Sequence, residues 1–135
     1  MNLSYDFFKK VLNIKKIFHG HLKNITDNTI EKFKTIGIFQ NNKYHYIDKE
    51  TNYTLKNNQN EVIFTRENQE IIHTMIFNKQ KTTVSIYYLK ELHHSLEFNI
   101  KTTNLKVTNN KVIINYQIQE TNNEYEYIIE MSDIK

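Results

Sequence analysis

The sequence of 135 residues contains no cysteine, proline, alanine or tryptophan, one arginine (Arg66) and two glycines (Gly20 and Gly37). Without cysteine the chain cannot form disulfides or bind a metal through thiolates, and nothing in it indicates an oxidising compartment. Two glycines cannot build a glycine-rich phosphate loop. The sequence has no G-x-S-x-G motif and no Ser-containing strand-to-helix turn, so it offers no support for nucleophilic catalysis.

Long apolar runs are also missing. No stretch approaches the roughly 18 apolar residues that a membrane-spanning helix needs. The apolar start of the chain is interrupted by Asp6, Lys9 and Lys10, which makes it unlike a signal peptide. We therefore predict a cytoplasmic protein without a membrane span.

What the chain does contain is an alternation of apolar and polar residues from about Ile14 to Met131, cut by Asn-rich turns. This pattern is typical of many short antiparallel strands in sequence-local order, closed into a barrel or folded into a sandwich. We predict a single all-β domain over 14–135, an antiparallel barrel of eight to ten strands. The predicted strands cover about 14–25, 29–39, 43–48, 51–57, 60–66, 70–77, 82–89, 94–107, 111–119 and 124–131.

The first residues follow a different period. Leu3, Phe7 and Val11 fall at positions i, i+4 and i+8, which is the apolar stripe of a helix, and Ser4 can cap its start. The pattern predicts a short N-terminal helical extension over 1–13. It packs on the barrel as an apolar plug or covers one mouth as a lid.

The eighth predicted strand changes phase. Phe98 and Ile100 are even-numbered apolar positions, whereas Leu105 and Val107 are odd-numbered. A strand with one extra residue near 102–104 would turn both sets to the same side. We therefore expect a β-bulge there.

The histidines and paired acids do not form a recognisable site. His19 and His21 share one strand face, whereas His93 and His94 are adjacent and are expected on opposite faces. A metal site needs three or four converging ligands, and no acidic residue completes such a spacing. Glu126 and its neighbouring acids alternate with tyrosines that suit the core, so the acids are expected in solvent. We predict no metal, no cofactor and no catalytic residues.

The aromatic residues and Arg66 indicate a different kind of site. Nine tyrosines and eight phenylalanines lie mostly on the predicted strands. A buried tyrosine hydroxyl must find a partner, and a barrel of this size can hold a small ligand. Arg66 is in phase with Phe64, so it points inward near a mouth, where it could bind a carboxylate or phosphate, extend to water or pair with a Glu. The predicted ligand-pocket residues are Arg66, Phe64, Tyr53, Phe98, Tyr116 and Tyr127.

Six stretches taken in order carry a family resemblance. They are 31–39 (EKFKTIGIF), 42–47 (NKYHYI), 61–66 (EVIFTR), 73–83 (HTMIFNKQKTT), 95–102 (SLEFNIKT) and 112–116 (VIINY). Together they resemble the YwiB-like family of uncharacterised bacterial proteins with a calycin-type (lipocalin-like) β-barrel. The resemblance implies an eight- to ten-stranded barrel and no particular reaction. His94 stands where the family has a glycine turn, and the first 12 residues look like an addition.

Two functions from different classes follow. The first is non-enzymatic binding of a small apolar or amphipathic ligand inside the barrel. The alternative is an interaction module that contacts RNA or another anionic partner through the basic first third, where residues 1–50 carry nine lysines against five acidic residues. Binding of single-stranded nucleic acid by exposed aromatics is disfavoured, because Tyr125 and Tyr127 alternate with Glu rather than Lys. The lysines of the alternative are Lys9, Lys10, Lys15, Lys16 and Lys23.

Overall fold

The structure, a computed structural model, describes residues 14–134. These residues form ten strands, which confirms the all-β prediction. The helix predicted over 1–13 lies outside the described residues. Between residues 14 and 134 there is no helix with the length and apolar character needed to cross a membrane. The strands are β1 (Lys15–Asn24), β2 (Thr29–Gln40), β3 (Lys43–Asp48), β4 (Thr51–Asn58), β5 (Glu61–Glu67), β6 (Ile71–Asn78), β7 (Thr83–Leu89), β8 (His94–Val107), β9 (Lys111–Ile118) and β10 (Asn123–Asp133).

The sheet closes on itself. Every strand pairs antiparallel with its neighbours in sequence, and β1 also pairs with β10, so the strands form a closed up-and-down barrel. Because successive side chains of a strand point to opposite faces, the alternation in the sequence sorts residues into a barrel interior and an exterior. On β9, Val112, Ile114 and Tyr116 are buried inside, as the pattern predicts.

The predicted bulge in β8 is confirmed. The register against β9 shifts between Thr102, which lies opposite Tyr116, and Asn104, which lies opposite Asn115. Thr103 is the extra residue, and it lets β8 keep inward side chains on both sides of the shift. A bulge also increases local twist and bends the strand, which a 14-residue strand needs to follow the barrel wall.

Both glycines lie where two strands approach too closely for a side chain. A Cβ atom at Gly20 on β1 would overlap the carbonyl oxygen of Ile128 on β10. A Cβ atom at Gly37 would lie 2.5 Å from the carbonyl oxygen of His45 and 3.2 Å from the Phe18 ring. Gly20 therefore permits the strand contact that closes the barrel.

The two ends of the barrel differ in how they are filled. We call the end with the turns at 25–28, 49–50, 68–70, 90–93 and 119–122 the upper end, and the end with the turns at 41–42, 59–60, 79–82 and 108–110 the lower end. The interior of the lower half is an apolar core. It contains Phe18, Leu55, Val62, Phe77, Ile100, Val112, Ile114 and Ile129.

Inward positions near the upper end are less buried than the alternation suggests. Phe98 is only partly buried, and Leu96 is 40% exposed although its register places it opposite Tyr87 on the inner face. Both stand on β8 above the packed core. The phase predicted for this strand is correct, but the interior at this height is not filled with protein.

Candidate ligand-binding cavity

The upper half of the barrel encloses a cavity of about 380 Å³. This volume lies within the roughly 300–1,000 Å³ of typical small-molecule sites. Inward side chains from strands all around the barrel form its wall. The structure brings together all six sequence-predicted pocket residues in this wall: Arg66, Phe64, Tyr53, Phe98, Tyr116 and Tyr127. Whether they hold a ligand stays a prediction.

The floor of the cavity is a hydrogen-bonded pair of tyrosines. The hydroxyl groups of Tyr46 on β3 and Tyr127 on β10 bond to each other in the barrel interior. Both residues are buried, and burial raises the pKa of each hydroxyl above its ordinary value because the phenolate is poorly solvated there. The floor is therefore polar but uncharged.

The walls contain stacked aromatic side chains. Phe33, Tyr46 and Tyr53 form a continuous stack, with centroid distances of 4.8 and 4.7 Å and interplanar angles of 5° and 8°. Elsewhere in the wall, Tyr116 and Tyr125 stack at 5.1 Å. Offset or parallel ring contacts of this kind hold the side chains in place. The cavity thus has rigid apolar walls that suit a flat or apolar ligand body.

Arg66 supplies the positive charge of the cavity. It lies on the inner face of β5 between Tyr53 of β4 and His73 of β6. Its Nε atom donates a hydrogen bond to Nδ1 of His73 at 3.2 Å. Burial raises the pKa of Tyr53 and of Tyr116, and the Arg66 charge opposes both rises. The guanidinium therefore influences tyrosines on separate strands and is directed into the cavity.

No acidic side chain neutralises Arg66 within residues 14–134. Every ion pair in this part of the chain involves a lysine or a histidine, at 4.0 Å or less. Besides His73, the hydrogen-bond partner of the guanidinium is the hydroxyl of Tyr53 on the neighbouring strand, which is a neutral group. The sequence left three possibilities for Arg66: binding an anionic ligand, extending to water or pairing with a Glu. The described residues do not show the pairing with a Glu.

His73 and Ser85 extend the Arg66 contact along the cavity wall. Nε2 of His73 lies 2.7 Å from Oγ of Ser85 on β7. Since an arginine can only donate, Nδ1 of His73 must accept from Arg66, and the proton of the neutral ring sits on Nε2. His73 therefore donates to Ser85. Burial, and then the Arg66 charge, lower the pKa of His73 from 6.5 to about 4, so the ring is neutral at pH 7.

This chain of bonds has the opposite polarity to a catalytic triad. In a triad an acidic group accepts from Nδ1, and Nε2 is free to take the serine proton. Here a cation donates to Nδ1 and Nε2 already carries the proton, so His73 cannot act as the base for Ser85. Sequence reasoning missed His73 and Ser85. The inward phase of His73 with Met75 and Phe77 on β6 is the signal that could have found the histidine.

Charged residues line the rim at the upper end. Glu31, Asp48 and Lys49 border the cavity. Lys49 and Glu50 form the turn between β3 and β4 with φ angles of 49° and 67°. This left-handed conformation is uncommon for residues other than Gly, Asn and Asp, and it costs free energy. The rim therefore carries acidic and basic side chains close to one another.

Outside the barrel, the histidine pair meets carboxylates that sequence spacing did not reveal. His21 Nε2 lies 2.9 Å from Glu126 Oε1, and His19 Nε2 lies 3.9 Å from Glu130 Oε2. The hydrogen bond from His21 lowers the pKa of Glu126. Residues 14–134 contain no group of three or more potential metal ligands. His93 lies in a turn with φ of 48° rather than on a strand, so strand parity does not define its direction relative to His94, and the expectation that the two face opposite sides stays a prediction.

A solved structure shares this fold. The crystal structure of the ywiB protein from Bacillus subtilis superposes with a TM-score of 0.69, covers 90% of this chain and 92% of that chain, and is 15% identical in sequence. At this identity the likeness shows the fold alone. It supports the YwiB-like barrel that the sequence motifs suggested. No protein-family model matches the chain, and no curated protein matches it in sequence.

Proposed function

We propose that this protein is a non-enzymatic binding protein that holds a small amphipathic molecule in the upper half of its barrel. The observation that carries the proposal is the contrast between the two halves. The core of the lower half is filled by apolar side chains, and the depression at its mouth is lined mostly by polar turn residues, whereas the upper half keeps a cavity of about 380 Å³ lined by aromatic rings, with Arg66 among them and Lys32 and Lys49 near the rim. Such a mixture of apolar walls and few polar groups is typical of ligand sites.

The direction of the hydrogen bonds that join Arg66, His73 and Ser85 favours ligand binding over hydrolysis. Ser85 is the only serine of the cavity wall formed by the described residues, and its neighbour His73 is a donor to it rather than a base. Without an activated nucleophile the cavity offers orientation and desolvation but no acyl transfer.

The alternative function, contact with RNA or an anionic partner, gains no support from the described lysines. Lys16 is paired with Asp133 at 2.7 Å, and β1 runs beside β10, which carries Glu124, Glu126 and Glu130. These acids reduce the positive potential along β1. The alternative stays a prediction, and it requires an affinity that falls steeply as salt concentration rises.

Native mass spectrometry of freshly purified protein tests the proposed function. We expect a bound small molecule that organic extraction releases, and saturable binding of the neutral dye N-phenyl-1-naphthylamine to the extracted protein. Thr51→Trp, at the inner rim of β4, should block dye binding. Thr54→Trp, on the outer face of the same strand opposite His45, is the matched control and should leave it unchanged.

Two results would overturn the proposal. The first is protein that carries no molecule and binds no displaceable dye. The second is dye binding that both tryptophan variants reduce equally, since the dye would then not report on the barrel interior. Circular dichroism of both variants checks that each keeps the β-barrel.

A further inference from the structure

We infer that the ligand is a monocarboxylate whose carboxylate group is held by Arg66, with its apolar or aromatic body against the stacked rings. This inference rests on the proposed binding function of the cavity. It adds the charge and chemical class of the ligand, which the cavity volume and aromatic lining do not specify.

The first argument is the unneutralised guanidinium. A charge in a partly buried, aromatic-lined site is less well solvated than one on the surface and is stabilised by a charged partner. Arg66 uses Nε for His73 and has the Tyr53 hydroxyl as a second neutral partner, and none of the ion pairs among residues 14–134 includes it. A guanidinium presents its donors as a planar fork that matches the two oxygens of a carboxylate. Such an anion gives Arg66 the charged partner that it lacks among residues 14–134.

The second argument is the orientation of the neighbouring donors. Because His73 accepts from Arg66, it fixes the guanidinium plane against the wall of β6. Because it donates to Ser85 at 2.7 Å, the Ser85 hydroxyl oxygen is already satisfied as an acceptor. The Ser85 proton is then available to a ligand, and Ser85 lines the cavity. The wall thus offers a cation and a neutral donor, both suited to oxygen atoms of an anion.

The third argument is the charge balance, which selects a single negative charge. His73 is neutral, so Arg66 is the one positive group in this hydrogen-bonded chain. Glu31 and Asp48 border the same cavity at the rim and disfavour extra negative charge, although Lys49 lies beside them. A carboxylate is neutralised by Arg66 alone. A phosphate monoester carries a second negative charge, for which the described lining offers only the exposed lysines Lys32 and Lys49, which lie beside Glu31 and Asp48 at the rim.

The stacked rings define the rest of the molecule. In the stacks of Phe33, Tyr46 and Tyr53 and of Tyr116 and Tyr125, neighbouring rings cover each other's faces, so the stacks offer mainly ring edges to an apolar body. Rings prefer offset or edge contacts with other rings. A planar aromatic acid therefore uses both parts of the site at once.

Isothermal titration calorimetry with three matched probes tests the inference. The probes are 2-naphthoate, the neutral 2-naphthylmethanol and the dianionic 2-naphthyl phosphate, titrated into extracted protein at pH 7 and constant salt. We expect 2-naphthoate to bind about tenfold or more tightly than 2-naphthylmethanol, because charge-assisted hydrogen bonds are roughly twice as strong as neutral ones. The phosphate should bind more weakly than the carboxylate.

Variants separate the role of Arg66 from that of general positive charge. Arg66→Gln should abolish the preference for 2-naphthoate and leave binding of 2-naphthylmethanol unchanged. Arg66→Lys keeps the charge without the fork and should retain part of the preference. Lys49→Gln removes a cation of the rim and tests whether the anion binds there; it should change the preference by less than about twofold, since exposed charges are screened. Lys56→Gln, at an exposed outward position of β4, is the matched control and should leave the preference unchanged. Circular dichroism checks folding of each variant.

The outcomes distinguish this inference from the proposed function. Equal affinity for 2-naphthoate and 2-naphthylmethanol overturns the carboxylate assignment and leaves the binding cavity standing. Tighter binding of 2-naphthyl phosphate overturns the choice of a monoanion. A preference that survives in Arg66→Gln but disappears in Lys49→Gln places the anion at the rim instead. Failure of every probe and of the neutral dye overturns both proposals.

Discussion

Acidification should weaken the barrel through His73, because the folded protein resists protonating it. Burial and the adjacent Arg66 lower its pKa from 6.5 to about 4. The unfolded chain therefore takes up this proton at a higher pH than the folded protein does. The contribution of His73 to stability is fully present above pH 6.5 and is lost progressively as the pH falls towards 4.

The size of the effect follows from the two pKa values. Each pKa unit corresponds to about 1.4 kcal/mol of differential interaction, so the complete loss is at most about 3 kcal/mol. Between pH 7 and pH 5 the same relation gives about 2 kcal/mol, and solvent reaching the partly buried ring reduces this to about 1–2 kcal/mol. This interval avoids the range in which most carboxylates titrate.

The assay compares urea unfolding at pH 7 and pH 5 in the wild type and in His73→Gln. Glutamine is neutral at both pH values, and its amide can accept from Arg66 and donate to Ser85. The wild type should lose about 1–2 kcal/mol more than the variant between the two pH values. The pKa of Glu126 is lowered by its hydrogen bond with His21, and the pKa of Asp133 by its hydrogen bond with Lys16. Both effects are present in the wild type and in the variant, so they cancel in the comparison.

Two results would refute the reasoning. One is a parallel fall in stability for wild type and His73→Gln, which would mean that His73 is as easily protonated when folded as when unfolded. The other is direct: an NMR titration of the His73 ring with a midpoint near 6.5 would show that neither burial nor Arg66 affects it. The same titration reports which ring nitrogen carries the proton, so it also checks the donor to Ser85.

Three further predictions concern the closure and core of the barrel. Gly20→Ala should lower the free energy of unfolding by about 2 kcal/mol or more, because its methyl group would overlap a carbonyl of β10. If the better strand propensity of alanine outweighed this overlap, urea unfolding would instead show a stability higher by about 0.5–1 kcal/mol. Ile129→Ala should cost about 3 kcal/mol because Ile129 is 0% exposed, whereas Ile36→Ala should cost less than about 1 kcal/mol because Ile36 is 62% exposed. Equal losses in chemical denaturation would contradict this assignment of faces. Tyr46→Phe and Tyr127→Phe should each cost about 1–2 kcal/mol by leaving the partner hydroxyl unpaired, and their double variant should cost less than the sum in a double-mutant cycle. Strict additivity would show that the two hydroxyls are not coupled.

Features encoded by neighbouring residues were predictable. The number of strands, their order and most of their ends follow from alternation and Asn-rich turns, because side-chain direction in a strand depends only on position parity. The bulge near Thr103 follows from a change of that parity. The inward direction of Arg66 follows in the same way, since it shares the phase of Phe64.

Features that depend on pairing between strands were not predictable. The contact of Arg66 with His73 and of His73 with Ser85 joins three strands, β5, β6 and β7, and nothing in the local sequence marks Ser85. The carboxylate partners of His19 and His21 lie more than 100 residues away on β10. Only the register between β1 and β10 brings them together.

Parity along each strand was enough to decide which side chains enter the barrel and which meet water. It could not decide whether those that enter would fill the space. The width of a barrel is a collective result of strand number, tilt and stagger, so the same alternation produces a packed lower half and a hollow upper half. The cavity and the hydrogen bond between Tyr46 and Tyr127 therefore exist only once β1 has closed against β10, whereas the tyrosine stacks lie between strands that are neighbours in sequence.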